Sequence, residues 1–479
     1  MRKLLLTLAA ICLFGIAASA ERKEVHILSV NDMHAKIENM PQLAAIADSL
    51  RGLYPDLLIV SAGDNRTGEP LNDLYETPAY PMVVLMNMIG FHATTMGNHE
   101  FDAGGKGLGD LMRMSGFSYI CANLEPAPAF GVAPRPTQVF DVNGVSVGIV
   151  GAVEINERGT PDTHPDNCVG LSFTPVLETV QKYRGLRDEC DVVILLSHIG
   201  YDADVEISRE LPWVDLIIGG HSHTAIDGGE MHNGVMITQV TNRLENATHT
   251  TVTVENGKVV GRKAEVINVA GYPKKNKVVE EVVRYFSDNP AFQRVLATLT
   301  APMTSYEELG CMMTDAWRVE TGSDVAFTNT GGVRYDTLPA GPFTVSDVLR
   351  LDPFNNDTVQ LELTGQELKN MLIATHDADI EYGFPKVSGI KCEVIFDKKN
   401  PKKIKDLKIT MEDGSKFDLK KTYKVATNSY SASIADSPRK DPGRSLNRTT
   451  ASVIQAYLEH QGKIDYTGAC RVFESVSKR

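Results

Sequence analysis

The sequence has little cysteine, and cysteine never occurs in a C-x-x-C pair. Seven cysteines in 479 residues are too few for a small disulfide-stapled scaffold, and the missing C-x-x-C pair argues against a thiolate metal site. After residue 20 the chain also lacks any apolar run long enough to cross a bilayer. These shortages exclude a disulfide scaffold and a membrane protein with several spans.

The chain also has fewer basic than acidic residues. The chain has 48 Lys and Arg against 61 Asp and Glu, a formal net charge of −13, so we expect no general attraction to nucleic-acid polymers or anionic membranes. A protein of this charge that binds an anion needs a local binding site that attracts it. The composition is otherwise that of a globular protein, with 42% hydrophobic residues, and the length predicts about two to four domains.

The first twenty residues have the features of a secretory signal peptide. Two basic residues precede an apolar run over Leu4–Ala17, and Ala18–Ala20 supplies the small residues that a signal peptidase reads. The run is short for a membrane anchor, and Cys12 lies in its middle, where the cysteine of a lipoprotein is not expected. We therefore expect cleavage before Glu21 and a periplasmic or secreted protein, in which the six remaining cysteines are free to pair.

The first half of the chain alternates short β-branched runs with segments of helical apolar spacing. This alternation predicts an α/β layered domain in which functional residues gather just past the carboxyl ends of the strands. Later runs predict antiparallel strands joined by a hairpin turn at Glu255–Lys258. The expected buried strands are Val25–Val30, Leu57–Ser61, His92–Thr95, Val145–Val150, Val192–Ser197 and Leu216–Gly219.

The composition changes near Gly271, and the second half mixes helices with strands. A basic stretch and a predicted connecting helix over Val278–Ser287 follow the change, which places a domain boundary within about ten residues of position 285. We therefore expect a signal peptide at 1–20, a first domain at 21–270, a linker helix at 271–295 and a second domain at 296–479.

Five of the predicted strands end in Asp, His or Asn side chains, and none ends in lysine. A single Asp or His in such a loop is usually a helix cap or a solvated turn residue. Five loops at one sheet edge are a different case, because carboxylates and imidazoles gathered without cations need a bound cation to be stable. The residues are Asp32 and His34 after the first strand, Asp64 after the second, Asn98, His99 and Asp102 after the third, His198 after the fifth, and His221 and His223 after the sixth.

This set of side chains fits two divalent ions that share a bridging carboxylate. A nitrogen-rich site without thiolates suits Zn, Mn, Co or Fe better than Ca, which prefers oxygen alone. Two ions about 3.5–4 Å apart are a common device for in-line displacement at phosphorus. The candidate ligands are Asp32, His34, Asp64, Asn98, His198, His221 and His223.

The same blocks resemble a known family. D-x-H, G-D-N, G-N-H-E, a lone His and G-H-S-H occur here in the order that is typical of calcineurin-like metallophosphoesterases. The stretch Gly97–Asp102 resembles the branch of 5′-nucleotidases and UDP-sugar hydrolases, and the second half extends that resemblance over nearly the whole mature chain. The resemblance implies an α/β fold (α+β overall), with an N-terminal four-layer α/β/β/α sandwich and a second α/β substrate-binding domain.

The resemblance also implies a role for each residue of the set. Asp64 would bridge the two metals. His99 would not be a ligand but would face the substrate phosphate, oriented and kept cationic by Asp102. One metal would be held by Asp32, His34, Asp64 and His223, and the other by Asp64, Asn98, His198 and His221.

Blocks in the second half resemble the substrate-binding motifs of this family. Thr328–Arg334 matches N-x-G-G-[IV]-R, whose arginine would bind phosphate, and the rings of Phe354 and Tyr430 would stack on a nucleobase. Two departures stand out, because Ile434–Pro438 replaces a glycine-rich block and no arginine stands just before Leu309. The implied substrate-binding residues are Asn329, Gly332, Arg334, Phe354, Asn356, Tyr430 and Asp436.

The function implied by the resemblance is that of a secreted phosphohydrolase of nucleotide catabolism, which releases phosphate from nucleoside 5′-monophosphates by water attack in line with the leaving oxygen. The changed Ile434–Pro438 loop keeps a second substrate class open, UDP-sugars or 2′,3′-cyclic nucleotides. A non-catalytic nucleotide-binding protein is disfavoured, because neither a ligand nor His99 nor Asp102 is missing. The expected partners are a small nucleotide and two divalent ions, without a nucleic-acid polymer or a membrane span, and the sequence leaves monomer and dimer open.

Overall fold

The computed structural model describes residues 21–288, 290–335 and 337–476. The predicted signal peptide at 1–20 lies outside these residues, so that prediction stays untested. None of the helices in the described ranges is both long and apolar enough to cross a membrane. The six cysteines from Cys121 to Cys470 are free thiols, and five of them are buried.

Strands and helices alternate through the first half, as the sequence predicts. The strands are β1 (Arg22–Val30), β2 (Leu58–Ser61), β3 (Ala93–Thr94), β4 (Ser118–Tyr119), β5 (Thr137–Val142), β6 (Val145–Val153), β7 (Val192–His198), β8 (Leu216–Ile218), β9 (Glu230–His232), β10 (Val235–Thr238), β11 (Asn246–Glu255) and β12 (Lys258–Asn268). The helices are α1 (Met40–Arg51), α2 (Pro70–Asp73), α3 (Tyr80–Ile89), α4 (Gly104–Met114), α5 (Val176–Gln181), α6 (Leu186–Glu189), α7 (Tyr201–Ser208) and α8 (Lys277–Ser287). Short 3₁₀ turns occupy Ile37–Asn39, Asn98–Phe101, Pro128–Phe130 and Pro165–Cys168.

The strands of the first half form two six-stranded sheets. One sheet has the order β12-β11-β1-β2-β3-β4 and the other has the order β5-β6-β7-β8-β10-β9. Strands β1 to β4 run parallel in the first sheet, and β6, β7, β8 and β10 run parallel in the second. The carboxyl ends of these parallel strands are where the polar loops of the sequence begin.

Both faces of each sheet are apolar, because each sheet is covered on both sides. In β1, Ile27 packs into the core between the two sheets while Leu28 packs against helices on the outer face. In β7, Ile194 faces the same inner core and Leu195 faces the helices that cover the second sheet. Successive side chains of each strand thus face opposite sides of its sheet. The layers are one helix layer, the two sheets packed face to face, and a second helix layer. The predicted α/β/β/α sandwich is confirmed.

Helix α8 is the predicted connecting helix, and it packs onto the first half. Its N-terminus is capped by the side chain of Asn276, which accepts hydrogen bonds from the backbone N–H groups of Val278 and Val279. Val279, Val283 and Phe286 then pack into the outer core that α1 and α3 share. The connection between the halves is therefore a docked helix.

The second half is built around a mixed five-stranded sheet. Helices α9, α10 and α13 cover one face of this sheet, and α11 with a three-stranded sheet covers the other. The strands are β13 (Val295–Leu299), β14 (Val325–Thr328), β15 (Gly341–Thr344), β16 (Asp357–Thr364), β17 (Lys386–Ser388), β18 (Ile390–Phe396), β19 (Ile404–Met411), β20 (Thr422–Asn428), β21 (Arg444–Thr449), β22 (Lys463–Ile464) and β23 (Val472–Val476). The helices are α9 (Tyr306–Thr321), α10 (Val345–Leu351), α11 (Gly365–Ala378), α12 (Ser429–Ile434) and α13 (Thr450–Gln461), with a 3₁₀ turn at Thr330–Gly332. The sheet orders are β17-β14-β20-β16-β21, β15-β13-β22 and β19-β18-β23.

An arginine of the second half bridges two glutamates of the first. Arg350 in α10 donates from Nε to Glu69 Oε2 at 2.5 Å and from Nη2 to Glu38 Oε1 at 2.5 Å. The side chain of Glu69 is only 4% exposed. Burial and the nearby Glu38 carboxylate raise the pKa of Glu69 to about 7, although Arg350 opposes that shift. Contact between the halves therefore depends on a charge network that is partly removed from water.

We expect Arg350→Met to lower Tm by roughly 5 °C at pH 8, because removing this arginine from a buried ion network costs about 3 kcal/mol and leaves Lys36, 3.4 Å from Glu69 and 3.5 Å from Glu38, as the remaining cation for two carboxylates. The folded pKa of Glu69 lies above its ordinary value, so ionising this carboxyl costs stability as the pH rises toward and past 7. At pH 5.5 Glu69 is protonated and needs no cation, and the loss of Tm should be smaller.

Scanning calorimetry at the two pH values measures this effect, with the exposed Arg284 replaced by Met as the matched control. An equal loss of Tm at pH 5.5 and pH 8 would show that Glu69 is not the group that Arg350 stabilises.

Candidate metal centre and adjoining cavity

The predicted metal ligands lie on loops at the carboxyl ends of the parallel strands, and most of these loops are strained. Five of the seven residues have φ between 44° and 77°, a left-handed conformation that residues other than glycine seldom adopt and that concentrates at functional sites. The backbone is therefore held in an unfavourable shape that aims these side chains. The five residues are Asp32 (49°), His34 (44°), Asp64 (51°), His221 (77°) and His223 (54°).

One group of side chains surrounds a common point near the end of β1. The potential ligand atoms of Asp32, His34 and His223 all lie within 4.8 Å of one another. His223 Nε2 lies 3.1 Å from His34 Nε2 and 3.4 Å from Asp32 Oδ1. Two atoms that each bind one ion at about 2.1 Å lie no more than about 4.2 Å apart. These spacings are those of atoms that share an ion.

A second group adjoins the first. The potential ligand atoms of Asp32, Asp64 and His198 lie within 4.8 Å of one another, and His198 Nε2 is 3.3 Å from Asp64 Oδ2. The ring of His221 lies beside that of His198, with centroids 5.2 Å apart, and His221 Nδ1 is 3.1 Å from Asn98 Oδ1. The structure thus brings all seven predicted ligands together, with Asp64 in contact with the second group and near the first.

Hydrogen bonds on the outer side decide which imidazole nitrogen faces the centre. His34 Nδ1 donates to the carbonyl of Thr67 at 3.0 Å, and His198 Nδ1 donates to the carbonyl of Ala62 at 2.6 Å. The Nε2 atoms of both rings are left facing inward, as in metal-binding histidines whose other nitrogen is anchored. His198 Nε2 is buried and has no hydrogen-bond partner among the described residues.

The carboxylates of the centre require positive charge close by. Burial alone would raise the pKa of Asp64, but His198 and His99 outweigh burial and hold this pKa well below its usual range. Burial would likewise lower the pKa of His198, yet Asp64 and Asp32 raise it to about 10. In the protein alone a proton on His198 thus supplies the charge, and a divalent cation would displace that proton.

Two other imidazoles of the centre are neutral, which is the form that binds metal. Burial and the guanidinium of Arg334 lower the pKa of His34 well below its usual range. Burial and the neighbouring His198 lower the pKa of His221 to about 4. Inward-facing imidazoles, paired carboxylates and an orphan buried nitrogen fit bound divalent cations, and the donor set contains no thiolate.

Glu100, which no sequence pattern singles out for a role, ties two of the loops together. Its carboxylate accepts hydrogen bonds from the backbone N–H groups of Gly97 at 2.6 Å, Asp64 at 2.9 Å and Asn65 at 2.9 Å. Gly97 has no room for a side chain, because a Cβ there would lie 2.1 Å from Asp64 Oδ1. The loop after β3 therefore closes directly onto the Asp64 carboxylate.

His99 stands beside the centre and is held by Asp102. His99 Nδ1 donates to Asp102 Oδ2 at 2.8 Å, and Asp102 Oδ1 accepts from Thr163 Oγ1 at 2.8 Å. The potential ligand atoms of His99, His34 and Asp64 also lie within 4.8 Å of one another, so distance alone would admit His99 as a ligand. Burial would lower the pKa of His99, but Asp102 and Asp64 outweigh it and raise that pKa above its usual value. A protonated ring has no lone pair for a metal, which favours the role of an acid.

A cavity adjoins the centre and is lined by both halves of the chain. Arg334 Nη2 lies 3.2 Å from His34 Nε2, and the guanidinium lies 5.5 Å from the centroid of the Phe354 ring. Phe354 stacks on His99 with centroids 5.8 Å apart. The predicted residues that line the cavity are Asn98, His99, Asp102, Asn329, Gly332, Arg334, Phe354, Asn356 and Tyr430.

Asp436 is the predicted substrate-binding residue that the structure does not bring to this cavity. Its side chain is exposed, and it is not among the residues that line the cavity. Ile434 and Ala435 are buried in the core, so the chain is anchored there and the next side chain turns outward. The structure therefore places Asp436 outside this cavity, and its role in substrate binding stays an untested prediction.

Other cavity residues were not predictable from motifs. Asp162 lies in the loop after β6, and Asp379 and Tyr382 follow α11. Tyr430 donates from its hydroxyl to Asp162 Oδ1 at 2.7 Å, across the two halves. The only sequence signal for Asp162 is its place beyond a parallel strand, and Asp379 and Tyr382 have none.

Known proteins match both halves of the chain. Residues 25–225 match the family described as calcineurin-like phosphoesterase, and residues 289–438 match the family described as 5′-nucleotidase, C-terminal domain. The chain is 26% identical to the trifunctional nucleotide phosphoesterase protein YfkN of Bacillus subtilis over 85% of this chain, but it spans only 32% of that relative's length. It is 25% identical to a 5′-nucleotidase of Vibrio cholerae, with 92% of this chain and 91% of the relative covered.

A solved structure shares the fold. The 5′-nucleotidase precursor from Thermus thermophilus superposes with a TM-score of 0.83 at 22% sequence identity, and the match covers 95% of this chain and 100% of that one. The similarity extends over both halves of the chain.

We expect Mn²⁺ to raise the Tm of chelator-treated protein by roughly 5 °C, because an ion that binds only the folded state stabilises it by about 2.7 kcal/mol at a hundredfold excess over Kd. Asp64→Asn should remove most of this rise, because it takes away the carboxylate that lies 3.3 Å from His198 Nε2 and clusters with His34.

Thermal scans with and without Mn²⁺ measure the rise, and the exposed Asp56 replaced by Asn is the control, which should respond like the wild type. A full Mn²⁺-dependent rise in Asp64→Asn would contradict the placement of the ion at this centre.

Proposed function

Because the chain belongs to the family that joins a calcineurin-like phosphoesterase domain to a 5′-nucleotidase C-terminal domain, it is a metal-dependent phosphoester hydrolase, and we propose that it releases phosphate from nucleoside 5′-monophosphates. The observation that carries this proposal is the meeting of His99, Arg334 and Phe354 at one cavity beside the metal centre. A proton donor, a cation for phosphate and a ring for a base thus lie side by side.

The ligands divide into two sets that share Asp64. When bound, two divalent ions would supply the positive charge that activates a water molecule and neutralises the phosphoryl oxygens. The absence of thiolates supports Zn, Mn, Co or Fe. One set is Asp32, His34, Asp64 and His223, and the other is Asp64, Asn98, His198 and His221.

His99 is the proton donor of the proposal. Its Nδ1 donates to Asp102, which leaves the proton on Nε2 free to move to the leaving oxygen. Asp102 fixes the ring and favours its protonated state. The water attacks on the side of phosphorus opposite that oxygen, and the product nucleoside leaves with the proton from His99.

The second half holds the rest of the nucleotide. Arg334 carries a permanent positive charge next to the centre and binds the phosphate oxygens. Phe354 and Tyr430 line the same cavity and offer aromatic faces to the base, which any base accepts. Asn329, Gly332 and Asn356 complete the cavity, and Asp436 has no part in the proposal because it lies outside.

The domain division and the export of the protein are part of the same proposal. The first domain comprises residues 21–270, the linker helix 271–295 and the second domain 296–479. The docking of α8 on the first core supports a linker that moves with the first domain. A signal peptide at 1–20 directs the chain to the periplasm or the medium.

With Mn²⁺ present, we expect hydrolysis of AMP, followed as phosphate, to exceed hydrolysis of UDP-glucose, followed as UMP, of 2′,3′-cyclic AMP, followed as the ring-opened monophosphate, and of bis-p-nitrophenyl phosphate, followed as p-nitrophenol. The phosphate and the base of AMP both have partners in the cavity. The other substrates carry a further ester or phosphate group, which would lie near the metal centre. Comparing kcat/KM across the panel tests the proposed substrate class. A higher kcat/KM for UDP-glucose or for a diester would assign the enzyme to one of those classes instead.

We expect His99→Ala to lower kcat for AMP by roughly 10²–10⁴-fold, the contribution of a positioned general acid, while two metal ions per chain remain bound. Steady-state kinetics and elemental analysis of the same preparation measure both quantities. His232→Ala is the control, because His232 lies on the edge strand β9, and its kcat should match the wild type. Full activity of His99→Ala, or a loss of metal together with activity, would contradict the role of an acid outside the ligand set.

A further inference from the structure

Two carboxylates face the cavity from opposite halves of the chain, and the proposed mechanism uses neither. Asp162 belongs to the first half and its side chain is 24% exposed. Asp379 follows α11 in the second half and is 6% exposed. Both line the cavity together with Tyr382 and Tyr430.

Hydrogen bonds hold both carboxylates in place, and of the two only Asp162 also forms an ion pair with a residue that the structure describes. Asp379 Oδ2 accepts from Asn329 Nδ2 at 2.9 Å, and Asn329 Oδ1 in turn accepts from Asn428 Nδ2 at 3.2 Å. Asp162 Oδ1 accepts from the Tyr430 hydroxyl at 2.7 Å, and the Arg158 guanidinium is 3.8 Å from the same oxygen. Within the described ranges, Asp379 forms no ion pair within 4.0 Å. Its partner is a neutral amide.

In the part of the chain that the structure describes, the positive charge that lines the cavity acts on Asp379 but forms no ion pair within 4.0 Å with Asp379 or Asp162. Arg334 is the one Lys or Arg among the described residues that line the cavity, and its guanidinium lies against His34 and Phe354. His99 shares its charge with Asp102. A phosphate at the metal centre therefore meets Arg334, whereas the remainder of the substrate meets two carboxylates.

The groups that face Asp379 are Asp162, Arg334, Tyr382 and Tyr430. Burial and the Asp162 carboxylate raise the pKa of Asp379 to about 7. At pH 8 the Asp379 carboxyl is therefore ionised, and the second acid of the cavity, Asp162, has its charge partly balanced by Arg158 at 3.8 Å.

We propose that Asp162 and Asp379 determine substrate specificity: they accept hydrogen bonds from an uncharged, hydroxyl-bearing leaving group and repel a leaving group that carries a phosphate of its own. The inference rests on the proposed nucleotide phosphohydrolase activity and assigns its preference for monophosphates to these two residues. A carboxylate is an acceptor only, so it suits sugar hydroxyls and disfavours a second phosphate by charge repulsion.

The test compares kcat/KM for AMP and for ADP at pH 8 in the wild type, in Asp379→Asn and in the control Asp377→Asn. Asparagine keeps the size of Asp379 and removes its charge, and Asp377 is exposed two residues away. Like charges about 10 Å apart in an effective dielectric of about 20 repel by an energy that corresponds to roughly a tenfold change in kcat/KM. We expect the ADP-to-AMP ratio of kcat/KM to rise about tenfold in Asp379→Asn and to stay at the wild-type value in Asp377→Asn.

A second variant, Asp162→Asn, guards against misfolding of the first, because the Asp162 side chain is less buried. It should raise the same ratio, and its Tm should stay near that of the wild type. An equal loss of activity on AMP and ADP, or an unchanged ratio in both variants, would overturn the specificity role. Wild-type protein that binds metal but hydrolyses neither nucleotide would overturn the proposed function, and the inference with it.

Discussion

The centre depends on one electrostatic constraint: the carboxylates of Asp32 and Asp64 are ionised where water hardly reaches them. Asp32 is fully buried and Asp64 is 2% exposed, and an uncompensated charge at such depth is costly. Within the protein alone, the nearest compensation is a proton on His198, whose Nε2 lies 3.3 Å from Asp64. Several imidazoles that are anchored at Nδ1 can each bind the same metal ion through Nε2, whereas a proton is held by one ring. The centre therefore suits a metal cation better than a proton. The neutral state of His34 agrees with this need.

The loops that gather these groups are unfavourable by themselves. Each left-handed residue costs on the order of 1 kcal/mol or more, and Asp32, His34, Asp64, His221 and His223 all carry this cost. The two sheets hold the loops in place, because every loop leaves a parallel strand that is buried on both faces. Glu100 adds a second restraint by accepting three backbone N–H groups from two loops. The strained loops hold the buried carboxylates and imidazoles close together, and a bound cation would stabilise them at that distance. The binding of a cation would thus offset part of the cost of the strained backbone.

Regular structure was predictable because it depends on local sequence, and the gathering of the candidate ligands was predictable because the carboxyl ends of parallel strands meet at one edge of a sheet. The period of two marks the strands, and Asn256 with Gly257 adopts φ values of 50° and 72° in the hairpin turn that their sequence predicts. Contacts between distant segments were not predictable. The apolar spacing of the sequence indicates one helix over Val176–Glu189, but the helix ends at Gln181 and restarts at Leu186, because the residues between form tight turns with hydrogen bonds three residues back. Asp162 and Asp379 likewise meet only after folding, and the outward turn at Asp436 depends on the burial of the residues before it.

The candidate metal ligands come from one half of the chain, whereas both halves supply the wall of the cavity, through Asp162 and Asp379. All seven candidate ligands belong to the first half, and Arg334 is the cavity residue of the second half that lies against one of them. Asp379, in contrast, is fixed by Asn329 and Asn428, which belong to its own half. A substitution that changes the charge of Asp379 therefore leaves the candidate metal ligands in place, provided that the two halves keep their relative orientation. The hydrogen bond from Tyr430 to Asp162 and the bridge from Arg350 to Glu69 both cross between the halves, so the orientation of one half on the other is itself a determinant of which ester is cleaved.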